Sequence, residues 1–404
     1  MSYFATLSIL GWLAVVVSAG VFRSRAYATF RGVTLGLQVL FALALVHRFE
    51  GPWFWAFAYL HAAGFVSALL LIRPKLRSFV YRALVSVPAA FFSAGTLLAL
   101  PWVLAAAVGF DLPAVWLPYA AALIGVVQSL TTRVETRHLA LGTAPAASAE
   151  QVARVASAGV HVERPLKLVQ ITDPHLGPFM SVERLKRIAE RAVAREPDLI
   201  LLTGDFLTME SHARPEWLAE ALSPLAKLRG RVFACFGNHD HEAPATVRRA
   251  LSEAGVRLLV DEAALVATDA GLVQILGFDF VWRDRKAHLE RVCDAHPRVE
   301  GAFRLALLHD PSAFGHLPAG ATDLVLSGHT HGGQVGFVSL GLPFTLMRLF
   351  TPSPDHGLWG RGGDRLYVHR GTGHYGFPLR LGVPAEESLL AVHAVSLAGG
   401  GESR

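Results

Sequence analysis

The first 131 residues hold only two acidic side chains, Glu50 and Asp111, against eight basic ones, Arg23, Arg25, Arg31, Arg48, Arg73, Lys75, Arg77 and Arg82. Between these charges run apolar stretches at 3–22, 30–47, 52–72, 84–108 and 113–131. A bilayer core of about 30 Å needs roughly 20 mostly apolar residues per helix, so the stretches read as five membrane spans. The second is the weakest, with Arg31 near its start and His47 at its end. A cleaved signal peptide is not expected, because the N-terminus lacks a basic leader and the first span is followed at once by others. The whole chain is 52% hydrophobic and only 17% charged, yet its second half mixes both signs as an ordinary folded domain does. The uneven distribution, rather than the net charge of +5, is the informative quantity, and no basic run with interleaved aromatics points to nucleic acid.

Lys and Arg placement orients the spans. Arg73, Lys75, Arg77 and Arg82 mark an inner segment, Asp111 an outer turn, and Arg133 with Arg137 an inner exit. These imply an integral, multi-pass protein of a bacterial inner membrane with its C-terminal domain in the cytoplasm. His61, Gln38, Ser67 and Gln128 are the notable polar residues at membrane depth, and helix packing is the expected role for them, not transport. Cys235 and Cys293 are too few for a disulfide framework and lack zinc-binding spacing, so they read as free thiols. The expected division is a transmembrane region at 1–132, a linker at 133–164, a catalytic domain at 165–396 and a disordered tail at 397–404. Within the Ala-, Ser- and Gly-rich stretch 139–163, a short helix is expected at Ala149–Ala156.

After Pro165 the pattern alternates between strand and helix. Apolar runs at Leu166–Ile171, Leu199–Leu202, Val232–Phe236, Val273–Phe278, Leu305–Leu308, Leu324–Leu326, Leu366–Val368 and Leu389–His393 read as strands. Helices are expected from Val182 to Arg195, capped by Ser181, near Pro215, and from Pro244 to Ala254, stopped by Gly255. The fold class is therefore α/β, two sheets packed with helices outside, preceded by an all-α bundle. Five of these strands run into Asp173 and His175, Asp205, Asn238 with His239 and Asp240, His309, and His329 with His331. A lone Asp or His after a strand is usually a turn residue. Five in series, at the edge where open α/β sheets place their ligands, point to a site.

The motifs DxH (Asp173–His175), GD (Gly204-Asp205), GNHD (Gly237–Asp240), His309 and GHTH (Gly328–His331) resemble the calcineurin-like metallophosphoesterase superfamily over residues 166–394. GHTHGGQ (Gly328–Gln334) and the later Arg370–Pro384 look like its membrane-associated bacterial branch. Spans preceding such a domain resemble the proteins called transmembrane protein with metallophosphoesterase domain. The resemblance implies one metal on Asp173, His175, Asp205 and His331, and a second on Asp205, Asn238, His309 and His329, with Asp205 bridging. Mixed carboxylate, imidazole and amide donors suit Mn, Fe or Zn ions. It makes His239 the residue that protonates the leaving oxygen or stabilises transition-state charge, with Asp240 either orienting it or serving as a helix cap.

Departures from the family pattern are few. Pro174 stands inside DxH, and GNHD replaces the GNHE of protein phosphatases, which makes a protein substrate less expected. His374 reads as an exposed loop residue, His316 is a further histidine, and His393, among others, has no partner pattern. The apolar segment Val335–Phe350 is either core or a hydrophobic lip over the site, with Arg348 meeting phosphate. The function expected is hydrolysis of a phosphodiester or pyrophosphate bond, in a phospholipid or glycolipid precursor. The alternatives are a phosphodiesterase on soluble nucleotides and a non-catalytic metal-binding scaffold.

Overall fold

The computed structural model describes residues 2–141, 151–159, 161–374 and 379–394. The expected tail 397–404 lies outside the described residues. The chain forms two compact units, residues 1–130 with 376–381, and residues 131–375 with 382–404.

The first unit is helical. Among the described residues, four helices are long and apolar enough to cross a membrane: Tyr3–Phe22, Arg25–Arg48, Pro52–Leu70 and Phe79–Leu98. Five were expected, and the first four expected runs each overlap one of these helices. The run 84–108 breaks at Ala99, where a separate helix Leu100–Ala107 begins with proline in its first turn. The last run yields only Leu117–Ser129, 13 residues, or about 20 Å at 1.5 Å per residue. The weakest run is a full-length helix, because the Ser24 side chain caps it by accepting from Tyr27 N. Two of the polar side chains noted in these runs, Gln38 and His61, meet polar partners on other helices. The Ser93 hydroxyl donates to Gln38 Oε1 at 2.8 Å, and His61 Nε2 lies 3.0 Å from Ser8 Oγ. That is helix packing, as expected.

The second unit contains thirteen strands among the described residues: β1 (Thr132–Ala140), β2 (Ala153–Arg154), β3 (Leu166–Ile171), β4 (Leu199–Leu202), β5 (Val232–Ala234), β6 (Arg257–Leu258), β7 (Glu262–Thr268), β8 (Gly271–Gly277), β9 (Phe303–Leu307), β10 (Leu324–Ser327), β11 (Gly357–Arg361), β12 (Asp364–Val368) and β13 (Ala385–His393). They build one sheet of order β1-β13-β3-β4-β5-β6 and another of order β2-β11-β12-β10-β9-β8-β7. Strands β3 to β6 run parallel, as do β8, β9, β10 and β12. Alternation along each central strand serves two cores. Leu166, Leu168, Leu199 and Leu201 join Leu305, Leu307, Leu324 and Leu326 between the sheets. Val169, Ile171, Ile200 and Leu202 pack instead with Ile188, Leu218, Leu222, Val247 and Leu251 of the outer helices. Burial on both faces is why these strands read as unbroken apolar runs.

The stretch expected as a linker is largely built into this unit. β1 pairs in parallel with β13 from Thr132↔Ala385 to Ala140↔His393. Ionic contacts hold it: Glu135 pairs with Arg137, and with Arg370 at 2.6 Å, while Arg195 donates to the Glu135 carbonyl at 2.7 Å. A strand fixed by charges gives no hydropathy signal. Residues 151–156 contain strand β2 and no helix, and Ala149 and Glu150 lie outside the described residues. The helix Arg285–Ala295, the β7–β8 hairpin and β11 were also not anticipated. Ser181 does cap Val182–Ala194 by accepting from Arg184 N, and Gly255 at φ +73° follows the helix Pro244–Glu253. Both cysteines are free, Cys235 buried and Cys293 half-buried.

Candidate metal centre

The loops leaving β3, β4, β5, β9 and β10 carry Asp173 and His175, Asp205, Asn238 and His239, His309, and His329 and His331. Five of these residues take left-handed backbone: Asp173 (φ 51°), His175 (φ 46°), Asp205 (φ 58°), His329 (φ 68°) and His331 (φ 50°). Non-glycine residues enter this region at a cost, and such strain clusters where a site over-determines the backbone. The glycines of the motifs allow the loops to meet. Gly204 sits at φ +89°, and a Cβ at Gly237 would lie 2.6 Å from Asp205 N and 2.8 Å from its Cγ.

Two groups of potential ligand atoms result, Asp173–His175–His331 and Asp205–His309–His329, each with its atoms within 4.8 Å of one another. Asp205 joins them. Its Oδ2 is 3.3 Å from His309 Nε2 and 3.6 Å from His175 Nε2, while Asp173 Oδ1 is 3.6 Å from His331 Nε2. Asn238 Oδ1 lies 3.2 Å from His309 Nε2, and His329 Nδ1 lies 3.3 Å from the same atom. All seven expected ligands are thus brought together. His309 Nδ1 donates to the Thr203 carbonyl at 2.6 Å and His331 Nδ1 faces the Gly373 carbonyl at 3.3 Å, which turns both Nε2 atoms inward. This is the outer hydrogen bonding that ligating imidazoles use.

Charge supports the same fit. Asp173 and Asp205 are at most 2% exposed, and every ion pair they make among the described residues is with imidazole. Buried carboxylates without Lys or Arg call for cations. Burial, with the nearby Asp205 charge, raises Asp173 above the usual carboxylate range. Burial works against protonated His309, but the Asp205 carboxylate overcomes it and lifts His309 to about 10. Burial pushes His175 down to about 3, and burial with His309 pushes His329 down to about 4.

His239 stands beside these groups without joining them. Its Nδ1 is 2.9 Å from Glu242 Oε1, and its backbone N–H donates to Asp205 Oδ1 at 2.9 Å. Glu242, absent from the sequence reading, is therefore the side chain that meets the His239 ring, where orientation by Asp240 was one of the two expectations. The His-to-Glu spacing of three within one turn was the available signal. Asp240 instead accepts backbone N–H groups from Asp205, Phe206 and Gly237 at 2.8–2.9 Å, clipping two ligand loops together. It is not a helix cap; the next helix begins at Pro244 after Ala243. His374 is buried, not exposed, with its ring 5.3 Å from Phe179, and His316 is exposed. Val335–Phe350 is not core: Phe337, Leu340, Leu342, Phe344, Leu346, Leu349 and Phe350 are all exposed. Arg348 donates to the carbonyls of Pro352 and Ser353.

Two ligand sets meeting on one shared carboxylate, at the C-terminal strand ends of two facing sheets, define the class of metal-dependent hydrolases that work with a pair of cations. The calcineurin-like phosphoesterase family model matches residues 166–333. Phosphodiesterase YaeI of Escherichia coli K12 is 31% identical over 235 residues, covering 56% of this chain and 82% of that one. The metallophosphoesterase YkoQ of Bacillus subtilis is 30% identical over 234 residues, covering 55% and 82%. A transmembrane protein with metallophosphoesterase domain from Bos taurus is 28% identical over 252 residues, covering 57% of this chain and 53% of its own. The chain belongs to the calcineurin-like phosphoesterase family, and it is a metal-dependent phosphoesterase.

Proposed function

We propose that this protein hydrolyses a phosphodiester or pyrophosphate bond in a phospholipid or glycolipid precursor, using a pair of Mn, Fe or Zn ions. Asp173, His175, Asp205 and His331 would hold one ion, and Asp205, Asn238, His309 and His329 the other. When bound, such ions polarise phosphoryl oxygens and lower the pKa of water towards about 7. His239 supplies the proton to the leaving oxygen. Burial opposes its charge, but Glu242 and Asp205 outweigh burial and raise its pKa above the ordinary histidine value, which favours the acid form. Glu242 fixes the ring through Nδ1. Asp240 keeps the Asp205 and Asn238 loops in register.

The lipid assignment rests on the exposed apolar segment that follows His331 directly. Thr345, its one fully buried residue, donates to Asp355 Oδ2 at 2.6 Å, and the Asp355 carbonyl accepts from Thr330, between two candidate ligands. Seven exposed large apolar side chains on a segment tied to the metal loop fit an acyl-bearing substrate. The test is a Phe344→Ser, Leu349→Ser variant assayed on a water-soluble diester and on a lipid-presented one. Losing about 2 kcal/mol of apolar contact should cut kcat/KM for the lipid about thirtyfold and spare the soluble diester. Equal loss on both substrates, or none, would defeat the lipid assignment.

A second reading, a soluble nucleotide diester, has its own support. Trp282 is 72% exposed and packs edge-on against Phe280 at 4.7 Å, and the Phe280 ring lies 6.5 Å from that of His329. Such an aromatic pair can stack on a base. Trp282→Ala should then raise KM for nucleotides alone. We place the catalytic domain in the cytoplasm of a bacterial cell, on the basic segment Arg73–Arg82 and on Arg133 with Arg137, which requires the short Leu117–Ser129 helix to complete a crossing. A reporter fused after Arg404 and active only outside the cytoplasm checks this, and it should be silent.

A further inference from the structure

Away from the metal centre, three histidines from separate stretches converge at one end of the β1–β13 pair. His138 lies on β1, His393 ends β13, and His161 lies in the segment before β3. One potential ligand atom from each falls within 4.8 Å of the other two. His138 Nδ1 is 3.0 Å from His393 Nε2, and the His161 and His393 ring centroids are 4.3 Å apart. Backbone contacts preset the arrangement. The Ser157 hydroxyl donates to the His138 carbonyl and accepts from Ala140 N, and Leu141 N donates to the His393 carbonyl at 2.9 Å. None of the three imidazoles makes an ion pair with a carboxylate among the described residues. His393 is buried, while His138 and His161 are exposed, so the cluster opens to solvent on one side.

We propose that His138, His161 and His393 form a third metal site, for one divalent transition ion such as Zn2+, Ni2+ or Co2+. Three imidazole nitrogens with an open fourth position are a set these ions accept, and hard oxygen-seeking cations are disfavoured by it. The ion takes the place of the hydrogen between His138 and His393. His393 Nδ1 accepts from Val162 N at 3.2 Å, so Nε2 carries the hydrogen that faces His138. Ligation through Nε2 moves that hydrogen to Nδ1 and gives up the long Val162 bond. In return, the ion links the strand that opens the phosphoesterase unit to the strand that closes it, and both to the segment leading into β3.

The experiment uses the untagged full chain in detergent, dialysed against micromolar free Zn2+, with bound zinc measured per chain. A His138→Gln, His161→Gln variant should hold one equivalent fewer than wild type, keep its diester turnover, and show a smaller zinc-dependent rise in Tm. Zinc content equal to wild type overturns the site. If the double variant misfolds, Co2+ added to an Asp205→Asn chain gives an independent reading. A visible tetrahedral band that His161→Gln abolishes supports the site, and absence of the band in the Asp205→Asn chain refutes it.

Discussion

Gly237→Ala tests the close approach on which the metal centre depends. Gly237 is not in the left-handed region, so alanine is acceptable to its own backbone, and the effect is steric. The new Cβ would press first on Asp205 Oδ1, and would stand 2.6 Å from Asp205 N and 2.8 Å from Asp205 Cγ, against an ordinary contact of at least 3.4 Å. Relief requires shifts of about 0.8 Å (3.4 − 2.6) and about 0.6 Å (3.4 − 2.8), several times the ±0.2 Å or so that a metal–ligand distance tolerates. Asp205 is the carboxylate shared by both ligand sets, and its N–H is clipped to Asp240 at 2.8 Å, so it cannot recede without breaking that bond. Overpacking of this kind costs about 1–3 kcal/mol, roughly 3–10 °C in the Tm of a domain this size. Activity should fall about a hundredfold or more. The assays are metal content per chain, kcat/KM on a chromogenic diester, and thermal melting. Gly315→Ala, whose Cβ would meet only Val152 Cγ2 at 3.5 Å, is the control. A Gly237→Ala chain that retains both metals and wild-type kcat/KM would refute the reasoning.

His239→Ala should keep its metals and lose about 10²–10⁴ in kcat, measured on diesters with poor leaving groups; stoichiometric metal loss would make it a ligand. Because Glu242 raises the His239 pKa, the acid form is lost as pH rises through that raised value, and Glu242→Gln should shift the alkaline limb of the pH–rate profile to lower pH. Asp355→Ala leaves Arg154 and Thr345 without their carboxylate, and should lower stability by about 3 kcal/mol in a denaturant melt. Because Arg154 keeps partial access to water, a larger loss would point to collapse of the apolar segment as well.

The strand-end ligands were legible in sequence because each follows a short apolar run buried on both faces, and such runs are visible without knowing their neighbours. The long apolar helices of the first unit were legible from their length and hydropathy, except where a run was broken or short. Ala99 and Pro101 divide one run, and the last helix is 13 residues long. β1 was not legible, since Glu135, Arg195 and Arg370 hold it from distant points in the chain. The His138–His161–His393 cluster was missed likewise: His393 lies 255 residues from His138, so no local pattern shows the pair, and the parallel β1–β13 register brings those two rings together.

The sequence by itself determined the candidate ligand types, their order along the chain, and the family they point to, because these are properties of short motifs. The tertiary structure decided which atoms face which. It gave His239 its partner in Glu242 instead of Asp240, turned Val335–Phe350 outward, and made Asp205 the shared carboxylate in space. The physical reason is that hydrogen bonds and ion pairs act over about 3 Å between residues whose separation in sequence places no bound on their separation in space.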